Sequence, residues 1–226
     1  MLTLSDLFND PSLIKPIILT AKTCVVALIL LCIFGVTLSY LLATRKNLMT
    51  GILDFIITLP LVFPPIGTGF ILLVVLGRNG LLGQIGLHPD IIFTEKAVFL
   101  AAFIAGLPLV IKPLQSAMER DVFKLAEASR TLGKNEFKTF LLVIIPSVKR
   151  PLGAGLILAA ARSLGEVGIT LIIGGNLQGR TNTISLEIYN AVMDADFHRA
   201  SILCLILGVI SLVIFLLLRK MSAISS

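Results

Sequence analysis

From Cys24 to Ala43 the chain carries no charged residue. An α-helix of that length, rising 1.5 Å per residue, crosses about 30 Å of hydrocarbon. The pattern returns at Phe55–Leu76 and Ala200–Leu218. Ala97–Ile111 is shorter unless its helix continues past Lys112 and Pro113, and Pro151–Gly175 is interrupted by Arg162 and Glu166. The runs predict five spans, near 17–43, 52–76, 95–115, 151–174 and 200–218. None alternates in polarity as a barrel strand would, so an all-α membrane protein is expected. Composition agrees: 56% of residues are hydrophobic and 14% charged, against about 45–50% and about 25% in soluble domains. That excludes a soluble enzyme domain, a disulfide scaffold, a disordered tail and a nucleic-acid binder.

The net charge of +6 therefore reads as a topology signal. Most of the 19 Lys and Arg fall at Arg45–Lys46, in the segment Lys112–Arg150 and at Arg219–Lys220. Placing these inside predicts an external N-terminus, a cytoplasmic C-terminus and a cytoplasmic loop at 116–150. Asp6 and Asp10 stand where a signal peptide would be basic, and no small-residue cleavage site follows, so the first run is expected to remain as an anchor. Cys24, Cys32 and Cys204 lie in apolar runs without CxxC spacing, and His88 and His198 are isolated, so neither a metal site nor a cofactor is expected. Pro60, Pro64 and Pro65 should kink or break the second run. No internal repeat is visible, so two-fold architecture requires a second chain.

Within 116–150, Asp121 is a plausible N-cap, Val122–Leu132 reads as a short helix and Gly133 fits its C′ position. Pro146 then closes a second apolar stretch, Phe137–Ile145. Physics alone leaves open an ordinary amphipathic helix on the membrane surface. The order of residues adds more: Glu127-Ala128-Ser129, Gly133 after three further residues, then Val143, Ile145 and Pro146. It resembles the coupling loop of ABC-importer permeases, Glu-Ala-Ala, three residues, Gly, nine residues, Ile, any residue, Leu-Pro. Ser129, Val143 and Ile145 depart from that pattern while keeping size or apolarity.

The resemblance implies a type I ABC-importer permease-like bundle of five or six transmembrane helices with a cytoplasmic coupling helix. It also implies a non-catalytic subunit that docks a separate ATPase, in two copies. The chain carries no G-x-x-x-x-G-K-[ST] phosphate loop, consistent with ATP hydrolysis by another polypeptide. Leu59–Phe70, continuing to Gly83, resembles the second span and outer loop of molybdate permeases. So does Ala161–Thr170 with Gly175-Asn176 and Thr181–Tyr189, where Val167 replaces a common Phe. The likeness covers residues 20–218. It implies a homodimer in a bacterial or archaeal plasma (inner) membrane, served by an extracytoplasmic oxyanion-binding protein. Molybdate is the expected cargo, with tungstate or sulfate/thiosulfate as alternatives. An ATP-independent secondary transporter is the alternative from another class.

Arg162 and Glu166 are four apart, so on one helix they share a face and can pair. At membrane depth such a pair braces a span beside the pathway or subunit interface, or is a buried structural ion pair, a reading that outweighs direct substrate contact. The outer loop 176–196, with Arg180 and Asn182, is expected either to meet the binding protein or to be a solvated loop.

Overall fold

The computed structural model describes residues 11–87 and 90–224; Asp6, Asp10 and His88 lie outside them. Every regular element among the described residues is helical. The long helices are α1 (Pro11–Thr44), α4 (Glu95–Ala117) and α10 (Phe197–Ile224). Between the first two run α2 (Leu48–Val62) and α3 (Pro65–Leu76), with one further helical turn at Leu81–Gln84. Beyond α4 come α5 (Phe123–Thr131), α6 (Glu136–Ser147), α7 (Lys149–Leu164), α8 (Gly168–Gly174) and α9 (Ile184–Met193).

Helix α4 is the centre. Its small residues Ala97, Ala101, Ala102, Ala105 and Gly106 are buried, which lets neighbouring backbones approach closely, as lipid-embedded helices require. A Cβ on Gly155 of α7 would lie 3.0 Å from Val110 Cα, and one on Gly35 of α1 only 2.6 Å from the Val110 side chain. Hydroxyls join the spans: Ser39 donates to the Ile111 carbonyl at 3.2 Å and Ser163 to that of Ala102 at 3.1 Å. α7 and then α8 run antiparallel along α4, with Ser163 at the level of Ala102 and Ile169 and Ile173 against Ala97, Ala101 and Ala105. The bundle thus has a loop end, holding 116–150, and a far end, where Lys22 of α1 meets Glu95 of α4 at 2.5 Å.

One sequence expectation is met and three change. The second run breaks at its prolines into two helices: Phe63 turns extended (ψ 143°), and Pro65 opens α3 from its first turn. There a missing N–H costs nothing. Pro60 remains inside α2, which starts earlier than expected because Asn47 and Thr50 form a reciprocal capping box.

The fourth run, expected as one span over 151–174, also breaks. α7 stops at Leu164 with Gly165 as its cap, and α8 begins at Gly168. Gly168 fits against the first break, since a Cβ there would stand 2.6 Å from that of Pro65. The two breaks therefore sit side by side, and the second is not visible without the first.

The segment 176–196 is not a solvated loop. Thr181, Asn182, Thr183, Ser185 and Glu187 are buried, and Ile184–Met193 is helical. Thr20 of α1 accepts from the Ile184 N–H at 3.0 Å and Ser185 donates to the Leu164 carbonyl at 2.5 Å, so this polar segment dips into the bundle with most of its groups paired, the buried Asn182 Oδ1 being an exception. Leu177–Arg180 near its start and Val192–Asp196 at its end emerge.

The loop also differs. α4 continues through a π-turn at Met118–Val122 directly into α5, so no helix starts at Asp121. Pro146 does not end the second stretch. The helix runs past it to Ser147, and the chain then bends 63° into α7.

Candidate functional site

Two places concentrate the residues singled out from the sequence. The first is the loop end. The α5 helix closes in a two-bond C-terminal turn: Gly133 N–H donates to Arg130 O at 2.9 Å and Lys134 N–H to Ser129 O at 3.2 Å. Gly133 takes φ +79°, a left-handed conformation that a β-branched residue resists, although space around it is open. Asn135 caps the next helix through the Lys138 N–H at 2.8 Å.

Val122 of the π-turn and Ala126 on the inner side of α5 belong to the main core with Ile144 and Val148. Ser129 is buried and hydrogen-bonds Thr139 at 3.1 Å, which gives the Ser-for-Ala departure a physical role. The Arg130 guanidinium pairs with Glu136, Nε at 2.8 Å and Nη2 at 3.0 Å. Tyr40 of α1 stacks edge-on with Phe140 at 5.4 Å and reaches Glu136 with its hydroxyl at 3.5 Å. On the opposite side Glu127 and Ala128 are exposed beside Leu125, Leu132 and Phe137. Val143 and Ile145 are half-buried and Pro146 exposed, on α6. The loop is a hydrogen-bonded knob that exposes Leu125, Leu132 and Phe137 among charged residues.

The second place is the break after α7. Arg162 is in the last turn of α7, but Glu166 lies beyond the helix, in the break itself. The pair forms, Arg162 Nη1 to Glu166 Oε2, yet it spans a helix end rather than sharing a helix face. The other Glu166 oxygen accepts the Ile169 N–H at 2.6 Å, satisfying the start of α8. Burial is uneven: the Glu166 side chain is 2% exposed and that of Arg162 31%.

A third ionic contact has no motif behind it. Lys112 of α4 places Nζ 2.7 and 2.8 Å from the two carboxylate oxygens of Asp54 on α2. Its one trace in the sequence is two opposite charges, each within or beside a long apolar run. At the far end, Lys15, Lys22, Glu95, Arg180 and Asn182 border a cavity of about 250 Å³. The structure does not bring the loop motif and the charge pair together: they lie at opposite ends of α7.

Residues 33–223 match the family described as binding-protein-dependent transport system inner membrane component. The chain belongs to that family. A probable transport system permease protein, NifC of Clostridium pasteurianum, is 36% identical over 93% of this chain and 74% of its own length. The molybdenum transport system permease protein ModB of Haemophilus influenzae is 33% identical, covering 83% of this chain and 84% of the relative. The sulfate transport system permease protein CysW of Synechococcus elongatus is 31% identical over 95% and 76%. In three dimensions the chain superposes on a chain of a bacterial alginate ABC transporter, solved with its alginate-bound periplasmic protein. The TM-score is 0.78 at 18% identity, over 96% of this chain and 81% of that one. The all-α, type I ABC-importer permease fold expected from the sequence is the fold observed. The protein is a multi-pass inner-membrane transport component whose relatives are permease subunits.

Proposed function

We propose that this chain is the membrane permease of an ATP-driven molybdate importer. Two copies would form the pathway, with the loop end cytoplasmic, the N-terminus outside, two copies of an ATPase docked on the loop and an oxyanion-binding protein at the far end. The observation that carries the reading is the α5 knob. Its helix is ended by Gly133, locked to α6 through Ser129–Thr139 and Arg130–Glu136, and topped by exposed Leu125, Leu132 and Phe137. An exposed helix with an apolar crest seats in a partner's groove, and a knob fixed to α6 and α1 passes a push into the spans rather than absorbing it. A nucleotide-driven change in the partner would thus bias two arrangements of the helices.

Molybdate is favoured by the ModB relative; the CysW relative supports sulfate as the second reading. The test is oxyanion uptake into proteoliposomes holding the chain with its ATPase and binding protein, with molybdate, tungstate and sulfate in competition. ATP-dependent molybdate uptake that stops when either partner is omitted is the expected result. Sulfate uptake alone would move the cargo, and flux without ATP would replace the importer with a secondary transporter.

A further inference from the structure

Arg162 stands at the wrong depth for a residue with spare donors facing outward. It lies about 20 Å along α7 from Lys149, at 1.5 Å per residue, and α8 extends about 10 Å further. The neighbouring Ser163 is tied to Ala102, within the long span α4. The guanidinium uses Nη1 on Glu166, and no other polar partner is found for it among the described residues. It has five N–H donors in a planar fork suited to an oxyanion. Its side chain remains 31% exposed, on a side of α7 that also exposes Ala154, Leu158 and Ala161. A charge at that depth faces a bundle interior or a water-filled cavity, not lipid.

In the Asp54–Lys112 contact both carboxylate oxygens engage one ammonium and both side chains are 35% exposed, so an approaching anion would meet Asp54 as well as the cation. Glu166 instead splits its oxygens, one on Arg162 and one on the Ile169 N–H. Its negative charge is turned inward and buried, while the cation is presented outward.

Resting on the permease reading above, we propose that Arg162 is a mid-membrane contact for the transported tetrahedral oxyanion. Glu166 acts as the positioning residue that aims it. The contact is weak by construction, because Glu166 already engages the guanidinium, and a weak station lets cargo leave as well as enter.

The experiment uses the complete transporter in proteoliposomes and reads both ATP hydrolysis and oxyanion uptake. The double variant R162Q/E166Q removes both charges, while the amide carbonyl that replaces the Glu166 carboxylate can still accept the Ile169 N–H. R162K keeps the charge but loses the planar fork. The double variant should assemble and hydrolyse ATP within about twofold of wild type, with uptake per ATP about tenfold lower. R162K should import at an intermediate rate, with the molybdate-to-sulfate competition ratio shifted about threefold or more. Uptake in the double variant that keeps pace with its ATP hydrolysis would overturn the proposal. So would loss of assembly in the double variant together with an unshifted competition ratio in R162K, which would make the pair a structural strap. Wild-type vesicles that import without the ATPase would instead refute the permease reading itself, so the two failures are distinguishable.

Discussion

The chain interrupts its helices twice with the same ingredients, an arginine, a glutamate and glycine, and the two interruptions work differently. Between α7 and α8 the Glu166 side chain is 2% exposed, and the neighbouring Gly168 is held by contact with Pro65 of the other broken span. Between α5 and α6 the Arg130–Glu136 pair is 37% and 68% exposed, and Gly133 is held by its own φ of +79° with nothing near it. One break is a packing joint that exists because a second chain segment fits it. The other is a local turn written into a few consecutive residues. Water makes the difference at the glutamates: Glu136 stands in solvent, whereas Glu166 is enclosed by protein and only its Arg162 partner is open.

The largest separation between the two should come from deleting the glutamates. Glu166→Ala leaves Arg162 unpaired at depth and the Ile169 N–H without its acceptor. The loss should be on the scale of about 3–5 kcal/mol seen when a buried pair is broken from one side. It is read as a fall in detergent-solubilised thermal stability. A shift no larger than that of Glu136→Ala would mean that water reaches the α7–α8 break and that the contrast is wrong.

Next comes the packing joint. Gly168→Ala places a methyl 2.6 Å from the Pro65 Cβ and 3.1 Å from the Ile66 nitrogen. Overpacking of this kind costs about 1–3 kcal/mol. Gly51→Ala on α2 meets nothing within 4 Å and serves as the matched control, expected to be neutral or slightly stabilising through helix propensity. Equal effects from the two substitutions in the same thermal assay would deny that the stacked breaks are a joint.

This ordering also explains what could be read from the sequence. Long apolar runs fix the membrane class because hydrocarbon thickness sets a minimum helix length. The Gly133 turn was legible because a C′ glycine is a local requirement of the helix it ends. The α7–α8 break was not. Ala161–Thr170 continues an apolar, helix-length run, and only Pro65, far earlier in the chain, makes interruption at Gly165–Val167 fit. The burial of 181–187 escaped for a related reason. Thr181, Asn182 and Ser185 read as a polar loop, yet they donate to Gly174, Asn176 and Leu164 inside the fold. Pairing across elements, as in Asp54–Lys112, is non-local and leaves no periodicity behind it.

At the loop end, Gly133→Val should cost about 1–2 kcal/mol through the left-handed conformation alone, because the space is empty. Its larger consequence is functional: the two-bond turn that aims α5 relaxes, so ATPase stimulation by loaded binding protein should fall while membrane insertion is retained. Gly133→Asn, which tolerates the same φ, should keep most of the coupling. Normal uptake by the Val variant would remove the argument that this turn transmits force.

The smallest effect expected is that of Glu136→Gln. The exposed pair with Arg130 is worth under about 1 kcal/mol, so stability should barely move. The hydrogen bond from Arg130 to Glu136 pushes the Arg130 pKa above its already high ordinary value. A raised cation pKa contributes stability below the unfolded value and loses it only as pH climbs through the folded one. That range lies above working conditions, so salt rather than pH is the lever. Near 1 M salt the screening length falls to about 3 Å, and wild type should then converge on Glu136→Gln in the rate of ATPase stimulation. Glu166→Gln should show no such convergence, because mobile ions do not reach a carboxylate enclosed by protein. Salt that moves both variants alike would place the two arginine–glutamate pairs in the same environment, against the burial that separates them.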